Sequence, residues 1–476
     1  MYTYKTMAVA AVAAGGIALS SCGEWFDESP KTDIKAGDFF ESENGFQSAL
    51  TGIYLSMTGQ DAYSGNMSFG LMDQLAQQYD YLPDGAADME AVYNYSTQTS
   101  YGFNTKGRIA SSWRGMYNIV ANCNNLLKWL GTNGERVLRD SVERNMMRGE
   151  ALAVRAFCHF DLLRAWGPWN LRNDPGAMDA KAIPYRTAAD NSKQPRLSTR
   201  EVLALVAADL EEAAGLLAYE SRTPLEGSTR RFRFNYHAVN ALLARVHSYA
   251  GDAAKAAEYA RKVISGCGLK LQTSNQNDPV MFSECICALN MYGMGERLSA
   301  QWAEGEKFTT QYAISQEKFN TLFEVAGTRR EDIRSKGAAF HTYDATRQNL
   351  SRKYSTNPHQ ALPLIRLPEM YYILCEAEED MAKAREHINY VRGRRGYSKS
   401  SDEKFTDNAG RLNALDREYR KEFYAEGQYW YFLKLHGRTE IPYAAGVALG
   451  KERFEFPLPD AEVQYGWTAD SAATGI

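Results

Sequence analysis

The sequence predicts an all-α dominated chain, a helical-repeat scaffold with long irregular insertions and a few short strands. Three observations predict it. Apolar residues recur at helical spacing through nine segments. Several of these segments pair as helix, short turn, helix. Between them lie tracts too long to be ordinary connections, which usually carry function or short strands of their own. An apolar content of 44% with 24% charge is that of a globular chain, so a packed core is expected. The net charge of −4, or −5 once Lys5 is removed with a leader, provides no electrostatic footprint for nucleic acid or for a polybasic grip on lipid.

The chain opens MYTYKTMAVAAVAAGGIALSSCGEWFDESP. One cation, Lys5, precedes an uncharged run from Met7 to Leu19, the layout of a secretory signal and too short for a stable membrane span. Leu19, Ser20 and Ser21 before Cys22 resemble a bacterial lipobox. That resemblance implies a signal peptide over residues 1–21, cleavage before Cys22, acylation of its thiol, and a lipid-anchored leader over residues 22–36. A single domain is expected over 37–476. No later segment reaches 18 uncharged apolar residues.

Helices are expected over Glu43 to Met57, Ile109 to Leu130, Ser141 to Ala165, Thr199 to Leu217, Tyr236 to Tyr249, Asp252 to Ile264, Leu367 to Glu379, Ala382 to Arg394 and Leu412 to Leu435. The irregular tracts are chiefly 59–107, 167–196, 266–363 and the tail after Gly437. In YHAVNALLARVHSYAGDAAKAAEYARKVISG, Gly251 ends one helix and Asp252 caps the next. Small residues such as Ala244 and Ala256 let the two approach closely. This pair resembles a tetratricopeptide repeat, although His247 and Ala260 occupy slots that are usually large and aromatic. LPEMYYILCEAEEDMAKAREHINYVRGRRG has the same form. Such repeats bury their apolar faces only by stacking on neighbours.

Six cysteines follow Cys22. Cys123, Cys158 and Cys375 sit among apolar residues in helical runs, as buried thiols do. Pairing of the six, with Cys267, Cys285 and Cys287, stays open. Cys285 and Cys287 have no second pair at zinc spacing, and no metal site is expected. The tract DYLPDGAADME brings Asp80, Asp84, Asp88 and Glu90 close in sequence but lacks the calcium-loop pattern. G-x-S-x-G, H-E-x-x-H, CxxC and phosphate-cradling glycine loops are absent, so neither an enzyme nor a cofactor is expected.

Eight segments in order then carry a family resemblance: the lipobox is followed by WRGMYNIVANCNNLL, RGEALAVRAFCHFDLLRAWG, AIPY, the repeat at Tyr236, RLPEMYYILCEAE, INYVRGRRG, REYRKEFYAEGQYWYFLK and FPLPDAEV. Together they resemble the SusD/RagB family of outer-membrane nutrient-binding lipoproteins of Bacteroidetes, over nearly the whole chain beyond the leader. The chain departs from the pattern at Met381, which follows its helix without the usual longer loop, at Tyr431 in place of a common aspartate, and at VQYG. Read physically, these segments are structural. Arg155, His159, Asp161 and Arg164 are expected as satisfied polar groups of a central helix, and Glu422, Glu426 and Tyr429 to Phe432 as packing.

The resemblance implies a surface lipoprotein, anchored in the outer membrane and facing the exterior, that captures an oligosaccharide or oligopeptide. Its partner would be a SusC-type TonB-dependent barrel, over which it closes as a lid. The acids among Gly23 to Glu28 resemble the export signal of such lipoproteins. Ligand-binding rings are expected in the insertions at about 59–107 and 266–363. Residues 59–107 hold six tyrosines, about twice the chain's own rate. Tyr79, Tyr81, Tyr93, Tyr95 and Tyr101 are the candidates there. Trp302, with Tyr292 and Tyr312 nearby, marks a facing wall. The competing readings are a repeat-scaffold interaction protein without a nutrient and a surface hydrolase.

Overall fold

The computed structural model describes residues 36–466 except 83–84, 87–91, 94, 96–103, 191, 276–277, 303, 305–311, 326–330, 344–346 and 442–447. The chain divides into two units, residues 1–48 and 49–476. In the described part of the first, Phe40 packs edge-on against Phe39 and Phe46, with ring centroids 5.1 and 5.0 Å apart.

The second unit is the helical scaffold. Its long helices are Thr105–Thr132, Ser141–Trp166, Thr199–Leu216, Tyr236–Ala250, Ala253–Gly266, Leu367–Ala377 and Met381–Arg394. Each packs on the next in this order, which is the nearest-neighbour stacking of a repeat array. Ser141–Trp166 is buried continuously from Gly149 to Trp166, so it forms the centre. Burying each large apolar side chain, such as Phe157 or Leu162, contributes roughly 1.5–3 kcal/mol.

The helix ends follow the local chemistry. Ser198 and Glu201 form a reciprocal capping box. Asp252 accepts from Lys255 N, as expected of a cap, after Gly251 has turned the chain at φ 83°. Polar groups of the central helix are satisfied. Arg155 makes a two-pronged contact with Asp209 at 2.7 Å and 2.7 Å, Arg164 pairs with Asp161, and His159 Nε2 accepts from Arg186 N at 3.0 Å.

The expected helix Leu412 to Leu435 is instead two, Asn408–Glu422 and Gln428–Leu435. The break lies at Ala425 and Gly427, both with positive φ. Gly427 N donates to Asp73 Oδ2 at 3.0 Å, and a Cβ there would lie 2.7 Å from Ser68 Cα. A tertiary contact thus overrides continuous helical periodicity.

Among the described residues, seven short strands lie in the insertions or at their end: β1 Tyr81–Leu82, β2 Gly85–Ala86, β3 Cys285–Asn290, β4 Ala313–Ser315, β5 Phe340–Tyr343, β6 Gln348–Ser351 and β7 Ala361–Arg366. They form an antiparallel sheet in the order β2-β1-β4-β6-β5 and a separate antiparallel β3–β7 pair. The six described cysteines are free and buried. Among the described residues no helix is long and apolar enough to cross a membrane, and no cluster of three or more His, Cys, Asp or Glu is placed to hold a metal ion.

Candidate functional site

The two long insertions meet in one body. Strand β1, from the first, pairs with β4 of the second through Tyr81 and Ala313. Asp80 fastens the junction. Its carboxylate accepts from Lys318 Nζ at 2.7 Å and from Ser315 N and Oγ at 2.8 and 2.7 Å. Burial would raise its pKa, but Lys318 and Ser315 hold it below the usual value. The first acid of DYLPDGAADME is therefore an internal fastener, while Asp84, Asp88 and Glu90 lie outside the described residues.

Behind this junction is an aromatic cluster. Tyr79 stacks on Tyr312 at 4.6 Å and meets Trp302 edge-on at 6.0 Å. Trp302 also contacts Phe69 at 5.5 Å and Tyr354 at 5.4 Å. Tyr79 is 2% exposed and Trp302 has no exposure. The Tyr79 hydroxyl donates to the Phe69 carbonyl at 2.9 Å, and burial raises its pKa. Tyr93 and Tyr95 are buried too. Their hydroxyls donate to the carbonyls of Leu75 at 2.5 Å and Arg453 at 2.6 Å, and the Tyr95 ring packs on Phe456 at 5.6 Å. The structure thus brings Tyr79 and Trp302 together, places Tyr93 and Tyr95 against other parts of the scaffold, and puts Tyr81 in β1. Tyr101 and Cys22 lie outside the described residues.

Among the described residues of the insertions, Tyr292 is the most exposed aromatic, at 85%. It sits just past β3 on a turn held at both sides by Gln360, whose carbonyl accepts from Met291 N at 2.8 Å and whose Oε1 accepts from Gly293 N at 2.7 Å. Gly293 takes φ 69°, which lets the chain reverse there. The backbone is clamped while the ring is free. Arg297, in the next helical turn, donates to the Thr58 carbonyl at 2.9 Å, tying this loop to the start of the first insertion.

Polar groups lie on the same insertion. Arg352 makes a two-pronged contact with Glu304 at 2.7 and 2.7 Å, and His341 on β5 stands 3.6 Å from Glu304 and 4.1 Å, ring to ring, from Tyr343. The hydrogen bonds from Arg352 keep Glu304 ionised below the usual range. No spacing rule joins Glu304, His341 and Arg352, and only the sheet brings them together. Tyr292 did carry a signal, an aromatic beside the Gly-Met-Gly turn of NMYGMG.

A family model described as "Starch-binding associating with outer membrane" matches residues 24–247, and a second, described as "SusD family", matches residues 294–434. A SusD-like protein of Bacteroides ovatus is 22% identical over 333 residues, 66% of this chain and 53% of that protein. One of Formosa agariphila is 23% identical over 210 residues, 42% of this chain and 35% of that protein. The aligned region thus spans about a third to a half of these relatives.

Among solved structures, a SusD superfamily protein of Bacteroides thetaiotaomicron aligns at TM-score 0.68 with 21% identity, covering 89% of this chain and 98% of that one. A SusD-like carbohydrate binding protein of Bacteroides vulgatus aligns at 0.66 with 18% identity, covering 91% and 96%. A laminarin binding SusD-like protein aligns at 0.64 with 19% identity, covering 89% and 98%. The two family models, in chain order on a stacked helical scaffold, make this chain a member of the SusD/RagB family.

Proposed function

We propose that this chain is a nutrient-binding lipoprotein of the cell surface that captures an oligosaccharide and closes it over a SusC-type TonB-dependent barrel. The observation that carries the reading is Tyr292, a flat ring 85% exposed on a backbone clamped by Gln360 in the second insertion. A rigid exposed aromatic face suits a sugar ring, which stacks its C–H face on it. Relatives named for laminarin and carbohydrate binding favour a glycan over an oligopeptide.

Tyr81 and Tyr101 join Tyr292 at the ligand in this reading, while Tyr79, Tyr93, Tyr95 and Trp302 contribute by holding the insertions in place. Acylated Cys22 and the acidic leader tether the protein to the outer membrane, facing outward. Binding proceeds without turnover. His159, the histidine of the central helix, is unsuited to proton transfer, since burial lowers its pKa to about 3 and both ring nitrogens are hydrogen-bonded to backbone.

The test is retention of a glycan panel by the purified protein in affinity electrophoresis. Wild-type protein is retarded by at least one glycan and Tyr292→Ala is not. Equal retardation of both would remove Tyr292 from the site. Cys22→Ala abolishes membrane retention in cells lacking the barrel and leaves glycan binding in solution intact.

A further inference from the structure

A cavity of about 220 Å3 lies between the Gln316–Leu322 helix of the second insertion and the Asn408–Glu422 helix of the scaffold. One wall is a single helical stripe, Asn413, Asp416, Arg417 and Arg420, whose spacing puts all four on one face. Leu322, Glu324 and Arg438 line it from other elements. The volume exceeds the about 150 Å3 of an apolar cavity that takes benzene, so a body of one ring fits.

The acids of this lining are already engaged. Asp416 is 3% exposed, and both its oxygens are taken: Oδ1 accepts from the Tyr429 hydroxyl at 2.7 Å and Oδ2 from Arg438 Nε at 2.8 Å. Glu324 stands between Lys421 Nζ at 3.1 Å and Arg417 Nε at 3.6 Å.

The guanidinium groups keep donors to spare. Arg438 spends Nε on Asp416 and Nη2 on Asn413 Oδ1 at 2.9 Å, and its Nη1 makes no hydrogen bond while staying open to solvent on a side chain 25% exposed. Arg417 spends Nη2 on both oxygens of Glu403 at 2.8 Å. Its Nε is beyond hydrogen-bond reach of Glu324, and its Nη1 has no partner among the described residues, on a side chain 43% exposed. The Asn413 amide, with its oxygen accepting from Arg438, leaves its N–H2 as a further donor.

Donors without matching acceptors select a ligand that only accepts. An ionised carboxylate does so through two oxygens and matches the planar fork of a guanidinium. Three guanidinium groups and two carboxylates in the lining leave one positive charge, which a single carboxylate balances and a dianion exceeds. We propose that this cavity is a second binding site, distinct from Tyr292, for a small ligand bearing one carboxylate, held by Arg417 and Arg438.

The test is saturation-transfer NMR on the intact Tyr292→Ala protein, in which the proposed nutrient platform makes no contribution. The probes are D-galacturonate, D-glucuronate and N-acetyl-L-alanine, each paired with a neutral counterpart: D-galactose, D-glucose and N-acetyl-L-alanine amide. At least one carboxylate gives a saturable signal that its neutral counterpart does not. A response to a uronate alone identifies a sugar acid, one to N-acetyl-L-alanine alone an acylated amino acid, and either supports the site. Arg417→Gln weakens binding about tenfold, the scale of one hydrogen bond to a charged group. Asn413→Trp, which fills the cavity from an exposed position, abolishes the signal without lowering the melting temperature. The proposal is overturned if no carboxylate binds, if the neutral counterparts bind equally, if Arg417→Gln leaves the affinity unchanged, or if the signal survives in Asn413→Trp.

Discussion

Arg395 and Glu422 face each other in the buried interior, Nη2 to Oε1 at 2.8 Å and Nε to Oε2 at 3.0 Å, with side-chain exposures of 0% and 1%. Glu422 also receives Arg366 at 2.6 Å and Arg334 at 2.9 Å, and Arg395 extends to Glu284 at 2.7 Å. The segments RLPEMYYILCEAE, INYVRGRRG and REYRKEFYAEG each supply a charge to this network. Removing one partner strands buried cations, so Glu422→Gln lowers stability by about 3–5 kcal/mol. Urea denaturation checks this, and a loss under about 1 kcal/mol would contradict it.

The same network and Asp73 have opposite pH signatures. Burial would raise the carboxyls of Glu422 and of Glu418, which lies 2.9 Å from Arg334, but their guanidinium neighbours hold both far below the ordinary value. Their contribution is full above the unfolded pKa near 4.3 and is lost as pH falls toward the folded values. Burial raises Asp73 to about 8, against the Gly427 N–H and Lys353. The unfolded chain releases this proton near pH 3.9 while the folded one keeps it, so stability falls by up to about 1.4 kcal/mol per pH unit across that window. Asp73→Asn removes this slope. Comparing urea midpoints at about pH 5 and about pH 7.5, the advantage of the variant grows with pH. An advantage that stays constant would show that Asp73 ionises normally.

Gly427 tests the helix break. Alanine there must hold φ 76° and place its Cβ 2.7 Å from Ser68 Cα. Gly427→Ala therefore costs more than the roughly 1 kcal/mol of a strained backbone alone, because Ser68 must also move. A melting temperature equal to wild type would contradict this.

Trp302 and Tyr292 separate support from contact. Trp302→Ala opens a cavity in the aromatic cluster and costs about 3–5 kcal/mol in chemical denaturation. Tyr292→Ala, at an exposed position, changes stability by less than about 0.5 kcal/mol. A large loss for Tyr292→Ala would mean that its ring packs against something.

The scaffold was legible because helical periodicity and caps are local. Gly251 with Asp252 announces its own turn. The insertion sheet was not, because β1 has two residues and meets β4 through a single register pair, Tyr81 with Ala313, far apart in sequence. Tyrosine enrichment pointed to an insertion but does not say which way a ring faces. Tyr79 and Tyr292 differ in exposure, 2% against 85%, through tertiary packing alone.

Capture without cleavage at Tyr292 is the central claim. The most direct measurement incubates the purified protein with a fluorescently labelled glycan pool, then sizes both the bound and free fractions. The account predicts that wild-type protein retains glycans at their original length and that Tyr292→Ala retains none. Shortened fragments, or equal retention by the variant, would contradict it.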